Sequence, residues 1–227
     1  MLDRQLRDVK ERIAEVCNRM RRDPKEIGLV LVTKSVEIDR IQEVYKLGVC
    51  DFGENRVQEL MEKRDQLPQD IRWHFIGSLQ TNKVKSLMEN VFLVHSCDRV
   101  ELAQEIQKQA EKHKRVIDVL IQVNTSGEET KHGFAPKDVQ AAVSEIVQLS
   151  RIKIRGLMTI GPNTEDKTKT RSAFHSLRLL RGELKSKFPS QDWRYLSMGM
   201  SSDFEIAIEE GANLLRIGTA VFGPRSN

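Results

Sequence analysis

The chain has 227 residues, 39% hydrophobic and 31% charged, with a net charge of +4 and a pI near 9.0. That composition suits a folded globular protein with a sizeable core and excludes a disordered or membrane-embedded one. The positive balance is diluted by 33 acids, and aromatics are only 5%, so a solvated mixed-charge surface is expected rather than a nucleic-acid groove. Cys17, Cys50 and Cys97 are far apart and in no metal or redox spacing, as expected in a reducing cytoplasm. The N-terminus mixes acids and bases and carries no apolar signal block, and no apolar run approaches a membrane span.

Leu2, Leu6, Val9, Ile13, Cys17 and Met20 recur at steps of three and four, which predicts an opening amphipathic helix stopped at Asp23-Pro24. Gly28-Leu-Val-Leu-Val-Thr-Lys34-Ser35 follows, an apolar run that reads as a strand buried on both faces and ending on a lysine. The alternation then continues. A helix over Ile38 to Leu47 is closed by Gly48, a strand spans residues 49–53, and a helix carries Val57, Leu60 and Met61. Strands are predicted over 71–77 and 91–95, separated by a short helix at Val84 to Met88. Asp98 and Glu101 have the spacing of a capping box for a long helix. Strands at 116–123, 152–160, 193–196 and 214–217 complete the series, with intervening helices starting near Pro136, carrying Phe174 to Phe188, and capped by Ser202 and Glu205.

Eight strands, each separated from the next by a helix, predict parallel strands and crossover helices in one domain over residues 1–227. The count points to an α/β fold, a closed (β/α)8 TIM barrel; an open doubly wound sheet is the alternative. Few residues follow strand eight, so the N-terminal helix is expected to cover the barrel where a final helix would lie.

In such barrels the chemistry sits at the C-terminal strand ends. Lys34 has the parity of Val30 and Val32 and should face the interior, where an ammonium must be paired, deprotonated or consumed chemically. An aldehyde-reactive lysine is one reading; a strand-end lysine snorkelling to solvent is the other. The segments Ser197 to Asp203 and Ile217 to Gly223 combine glycines and hydroxyls after strands seven and eight, the habitual phosphate position of this fold. Ordinary turn glycines and capping serines would look the same. Arg216 shares the parity of Leu214 and needs an acceptor: a carboxylate such as Glu54, or an atom of a ligand. A phosphate, a reactive lysine and a polar partner between them describe pyridoxal 5′-phosphate, PLP.

Six ordered segments carry a resemblance. They are Val32-Thr-Lys34, Phe52-Gly-Glu-Asn-Arg-Val-Gln-Glu59, Trp73-His-Phe-Ile-Gly-Ser-Leu-Gln-Thr-Asn-Lys83, Gly156-Leu-Met-Thr-Ile160, Leu196-Ser-Met-Gly-Met-Ser201 and Arg216-Ile-Gly-Thr-Ala-Val-Phe-Gly223. Through them the chain resembles, along essentially its whole length, the PLP homeostasis proteins of the YggS/PROSC type. The resemblance implies a fold-type III PLP barrel, similar to the N-terminal domain of alanine racemase. It implies that Lys34 carries the cofactor as a Schiff base, that Ser201, Gly218 and Thr219 hold its phosphate, that Arg216 faces the pyridine nitrogen, and that Asn55 lies near the ring. It also implies a non-enzymatic cytoplasmic monomer that carries or buffers PLP, with PLP-dependent apo-enzymes as recipients and neither membrane nor nucleic acid as partner. Fold-type III racemases add a β-domain that this chain is expected to lack. A minor racemase or lyase on the same lysine, or an aldolase-like barrel, are the competing expectations. His74 and His95 read as satisfied core histidines, Lys131 as a solvated loop lysine with a second, transient PLP site as the alternative, and Gln80 to Lys85 as a helix start or a basic patch.

Overall fold

The computed structural model describes residues 1–128 and 130–224. Its centre is a closed parallel barrel in chain order, β1 Gly28–Val32, β2 Asp51–Glu54, β3 Arg72–Phe75, β4 Leu93–Cys97, β5 Ile117–Gln122, β6 Ile152–Met158, β7 Tyr195–Ser197 and β8 Leu214–Ile217. Closure runs through β1 and β8, with Gly28 opposite Leu214 and Leu31 opposite Ile217. The barrel therefore holds and the open sheet does not.

Because side chains alternate along each strand, the barrel has two apolar compartments. Val30, Leu93, Leu120, Met158 and Leu214 form the lumen cluster. Leu31, Phe52, Phe75, Val94, Leu157 and Leu215 face outward into the larger layer beneath the helices. The N-terminal end of the barrel is ringed by ion pairs, Asp51 with Arg72 and Arg155 with both Asp118 and Asp192. The apolar lumen cluster thus lies below the mouth.

Helix α1, Leu2–Arg19, buries Leu2, Leu6, Val9, Ile13, Val16 and Cys17. Each such side chain contributes roughly 1.5–3 kcal/mol of transfer free energy as an upper bound. It packs against α2 (Ile38–Lys46), α8 (Phe204–Glu209) and α9 (Thr219–Phe222), with Arg12 stacked over Phe204 at 4.6 Å and bonded to Glu205 at 2.9 Å. It fills the outer layer as expected. The final helix is not missing but reduced to α9, a single turn.

The remaining helices are α3 Val57–Arg64, α4 Val84–Leu87, α5 Val100–Lys112, α6 Val139–Ile146 and α7 Lys167–Lys187. Gly48 and Gly211 end α2 and α8 at φ of +86° and +91°, a conformation glycine adopts without cost. Two expected caps do not form. Arg99, not Asp98, precedes α5, and the Asp98 carboxylate pairs with the Arg99 guanidinium at 2.6 Å. Asp203, not Ser202, precedes α8, and its carboxylate accepts from the Met200 N–H at 2.6 Å. At Asp98 a neighbouring donor outcompetes the helix terminus, and at α8 the helix starts one residue later than expected. The strand expected over 91–95 is shifted two residues, to Leu93–Cys97.

Candidate functional site

The barrel mouth contains two adjoining lobes of about 410 and 310 Å³ that share Val32, Ile76 and Ile160 as a common apolar wall. The first is lined by Lys34, Asn55, Gly77 and Lys131, the second by Ser201, Arg216, Gly218 and Thr219. All six residues singled out from the sequence are therefore brought to one mouth. A larger, more polar groove of about 720 Å³ lies between α2, α3 and α9 and holds neither Lys34 nor Arg216.

Lys34 stands two residues past the end of β1, half-buried, and its ammonium has no hydrogen-bond or ion-pair partner among the described residues. Its neighbours are fixed instead. The Thr33 carbonyl accepts from Lys63 Nζ at 2.5 Å, and the Thr33 hydroxyl donates to Glu54 at 2.6 Å. On the other side the Ser35 N–H donates to Glu59 at 2.6 Å, with Ser35 held at φ +57°. Lys63 Nζ completes the cluster by donating to Glu54 at 2.7 Å and Glu59 at 2.6 Å. Lys34 is thus an unpartnered side chain, among the described residues, on an anchored backbone.

Glu54 therefore partners Lys63, and not Arg216. It points outward from the barrel toward α3, and burial raises its pKa against the lowering effect of Lys63. Sequence reasoning missed Lys63, although its spacing of four from Glu59 on one helix was a usable signal.

Asn55 projects into the mouth from the end of β2, with its side-chain oxygen buried and without a partner among the described residues. Gly77 allows this placement: a Cβ there would lie 2.1 Å from the Asn55 carbonyl oxygen. An orphaned buried oxygen is costly, and this one lines a cavity, so the Asn55 oxygen is available to accept from water or a ligand there.

In the second lobe, Ser201 Oγ accepts from the N–H groups of Gly218 at 3.3 Å and Ala220 at 3.1 Å. Its own hydroxyl proton has no acceptor among the described residues and is free to donate to an anion. The loop is shaped by Gly199 at φ +95°, where a Cβ would lie 2.6 Å from the Ala207 methyl. Asp203 is close by, and burial raises its pKa against the lowering effects of the Met200 N–H and of Arg216.

Arg216 is buried between the lobes and the lumen, donating to Ser197 Oγ at 2.6 Å and the Thr159 carbonyl at 2.8 Å. Burial brings its pKa down to about 10, so it stays cationic at neutral pH. Its remaining donors are available to the cavity it lines. Below it His95 and His74 are buried and hydrogen-bonded, as core histidines should be. Lys131 corrects the expectation of a solvated residue: it is half-buried at the mouth and donates to Glu128 at 2.8 Å and the Gly161 carbonyl at 2.6 Å. Gln80 to Lys85 forms the start of α4 through a 3₁₀ turn at Thr81–Lys83.

The donor set fits PLP. An unpartnered lysine can meet the aldehyde, a hydroxyl and glycine-rich backbone can meet the phosphate, and a fixed guanidinium can donate to the ring nitrogen. Comparison with known proteins defines the class first: residues 5–226 match the family described as alanine racemase, N-terminal domain. A protein of Aquifex aeolicus named pyridoxal phosphate homeostasis protein is 48% identical over 96% of this chain and 95% of its own length. Among solved structures, a protein of unknown function from Bifidobacterium adolescentis superposes with a TM-score of 0.93 at 33% identity, covering 97% of this chain and 94% of its own. PipY of Synechococcus elongatus, solved with PLP bound, superposes with a TM-score of 0.83 at 36% identity over 93% of this chain and all of its own. The chain belongs to the alanine racemase N-terminal domain family and, within it, to the pyridoxal phosphate homeostasis proteins.

Proposed function

We propose that this protein binds PLP covalently through Lys34 and serves intracellular PLP homeostasis as a carrier or buffer, without substantial turnover. The observation that carries the reading is the convergence on one mouth of a partner-free Lys34, a Ser201 hydroxyl with an unused proton, and a cationic Arg216. The relatives' names and the PLP-bound PipY structure support it.

Ser201 and the backbone of Gly218 and Thr219 would hold the phosphate, Arg216 would donate to the pyridine nitrogen, and Asn55 would lie against the ring. Bound there, the cofactor would supply an aldehyde that condenses with amines and a ring that withdraws electrons. Arg216 limits the second property. A guanidinium does not give up its proton, so it donates to the ring nitrogen without protonating it, and the ring is left a weak electron sink.

The absence of turnover has a second support. Racemisation needs acid/base groups on both faces of the substrate. Of the two tyrosines, Tyr45 is bonded to Asp70 outside the barrel, and Tyr195 packs in the lumen cluster below the mouth. Three free cysteines fit a cytoplasmic, reducing setting, and apo-enzymes that require PLP are the natural recipients of a monomeric carrier. The direct test is uptake of PLP followed by its transfer to an apo-enzyme, with retention by the carrier alone counting against the role.

A further inference from the structure

A continuous chain of polar side chains runs through the lumen from the mouth to the opposite end of the barrel. Arg216 Nη1 lies 2.6 Å from Ser197 Oγ, which lies 2.9 Å from His95 Nδ1. His95 Nε2 is 2.9 Å from His74 Nδ1, and His74 Nε2 is 2.9 Å from Asp51 Oδ1. Asp51 also receives Arg72 through Nε at 2.7 Å and Nη2 at 2.5 Å. Ser197, His95, His74 and Arg216 are all buried; Asp51 is half-buried at the N-terminal end.

Resting on the reading that Arg216 faces the cofactor ring, we propose that Ser197, His95, His74 and Asp51 are positioning residues, a one-directional hydrogen-bond relay that holds Arg216 as a fixed donor toward the mouth. The direction follows from the two ends. A carboxylate only accepts, so His74 carries its proton on Nε2. A neutral His74 then accepts at Nδ1, which puts the His95 proton on Nε2. His95 in turn accepts at Nδ1 from the Ser197 hydroxyl. The Ser197 oxygen keeps a lone pair for Arg216. Every group in the chain has a partner, and the cation lies at one end with the anion at the other.

The charged groups around the histidines enforce this arrangement. Arg216 with Asp203 beside it stands on the mouth side, and Asp51 with Arg72 on the other; the Phe92 ring flanks His74 at 5.3 Å. Burial lowers both histidine pKa values, His95 the more, with His74 and Arg216 acting in the same direction on it. If His74 were protonated, His95 would have to reverse. Its Nδ1–H and the Arg216 N–H would then both converge on Ser197 Oγ, and the serine proton would lose its acceptor. A neutral His–His pair is the one state that satisfies all five residues.

The relay makes a carboxylate at the far end of the barrel part of the site's electrostatics. Long-range ¹⁵N NMR of the histidine rings in ligand-free protein reads it directly. The expected result is Nε2–H tautomers for both His74 and His95, unchanged between about pH 8 and pH 5 where an ordinary histidine titrates. Ser197→Ala should move the His95 tautomer balance. Asp51→Asn should still take up PLP at Lys34 while shifting the midpoint pH of the bound cofactor's absorbance by roughly one unit. Nδ1–H on His95, or an absorbance midpoint unmoved in both variants, would overturn the relay. Failure of wild-type protein to take up PLP would instead remove the cofactor reading, and the tautomers would still decide the chain.

Discussion

Lys63 reaches from helix α3 to the carbonyl of Thr33 at 2.5 Å and so anchors the backbone immediately before Lys34. The same ammonium is the counter-ion of buried Glu54 and of Glu59, which holds the Ser35 N–H just after Lys34. Lys63→Met should cost about 3–5 kcal/mol, because it leaves Glu54 buried without a cation. Glu54→Gln in the same chain should recover part of that loss. Urea denaturation of the single and double variants checks this, and a Lys63→Met midpoint close to wild type would contradict it.

Asp51 sets the acid limit of the barrel's N-terminal end. Burial raises its pKa, but the hydrogen bonds from Arg72 and His74 overbalance that effect and hold it at about 2. A depressed carboxylate contributes stability that is present above the unfolded value of about 3.9 and lost as pH falls through the folded one. The contribution is on the order of 2 kcal/mol. Asp51→Asn should therefore flatten the stability profile between roughly pH 4 and pH 2. Parallel acid-unfolding curves for the two proteins would show that the pair is not formed in solution.

The proposed cradle is expected to be anion-specific. Ser201→Ala with Thr219→Ala should weaken PLP far more than pyridoxal without phosphate, by a factor of about 10–100 if one to two charge-assisted hydrogen bonds are lost. Equilibrium dialysis against both ligands measures the difference. Equal losses would place the phosphate elsewhere.

Turnover should be near background. With Arg216 proposed at the ring nitrogen and both tyrosines away from the mouth, Cα–H exchange of alanine and other amino acids in deuterium oxide should barely exceed the rate with free PLP. Sustained wash-in that disappears in Lys34→Ala protein would favour the racemase.

The fold was legible because its signals are local. Apolar runs such as Gly28 to Val32, the helical spacing of α1, and the glycines at 48 and 211 each name an element without reference to the rest of the chain. Lys34, Asn55, Ser201, Arg216, Gly218 and Thr219 were legible through motifs at strand ends, and the barrel brings them to one mouth. The cap at Asp98 fails because the Arg99 guanidinium, invisible to a spacing rule, takes the carboxylate, and the cap at Ser202 fails because α8 starts one residue later, after Asp203. The relay was beyond reach: His95 and Ser197 are 102 residues apart, and only barrel closure makes them neighbours. Lys131 was misread for the same reason, since its acceptor Gly161 is 30 residues away.

Lys34 is the residue proposed to hold the cofactor. Purified protein loaded with PLP, reduced with borohydride and digested, should carry the label on the peptide containing Lys34, at one per chain. Lys34→Ala should fold normally, because the lysine side chain has no partner among the described residues to lose, and should carry no such label. A label found on Lys131 alone, or retained in full by Lys34→Ala, would contradict the account.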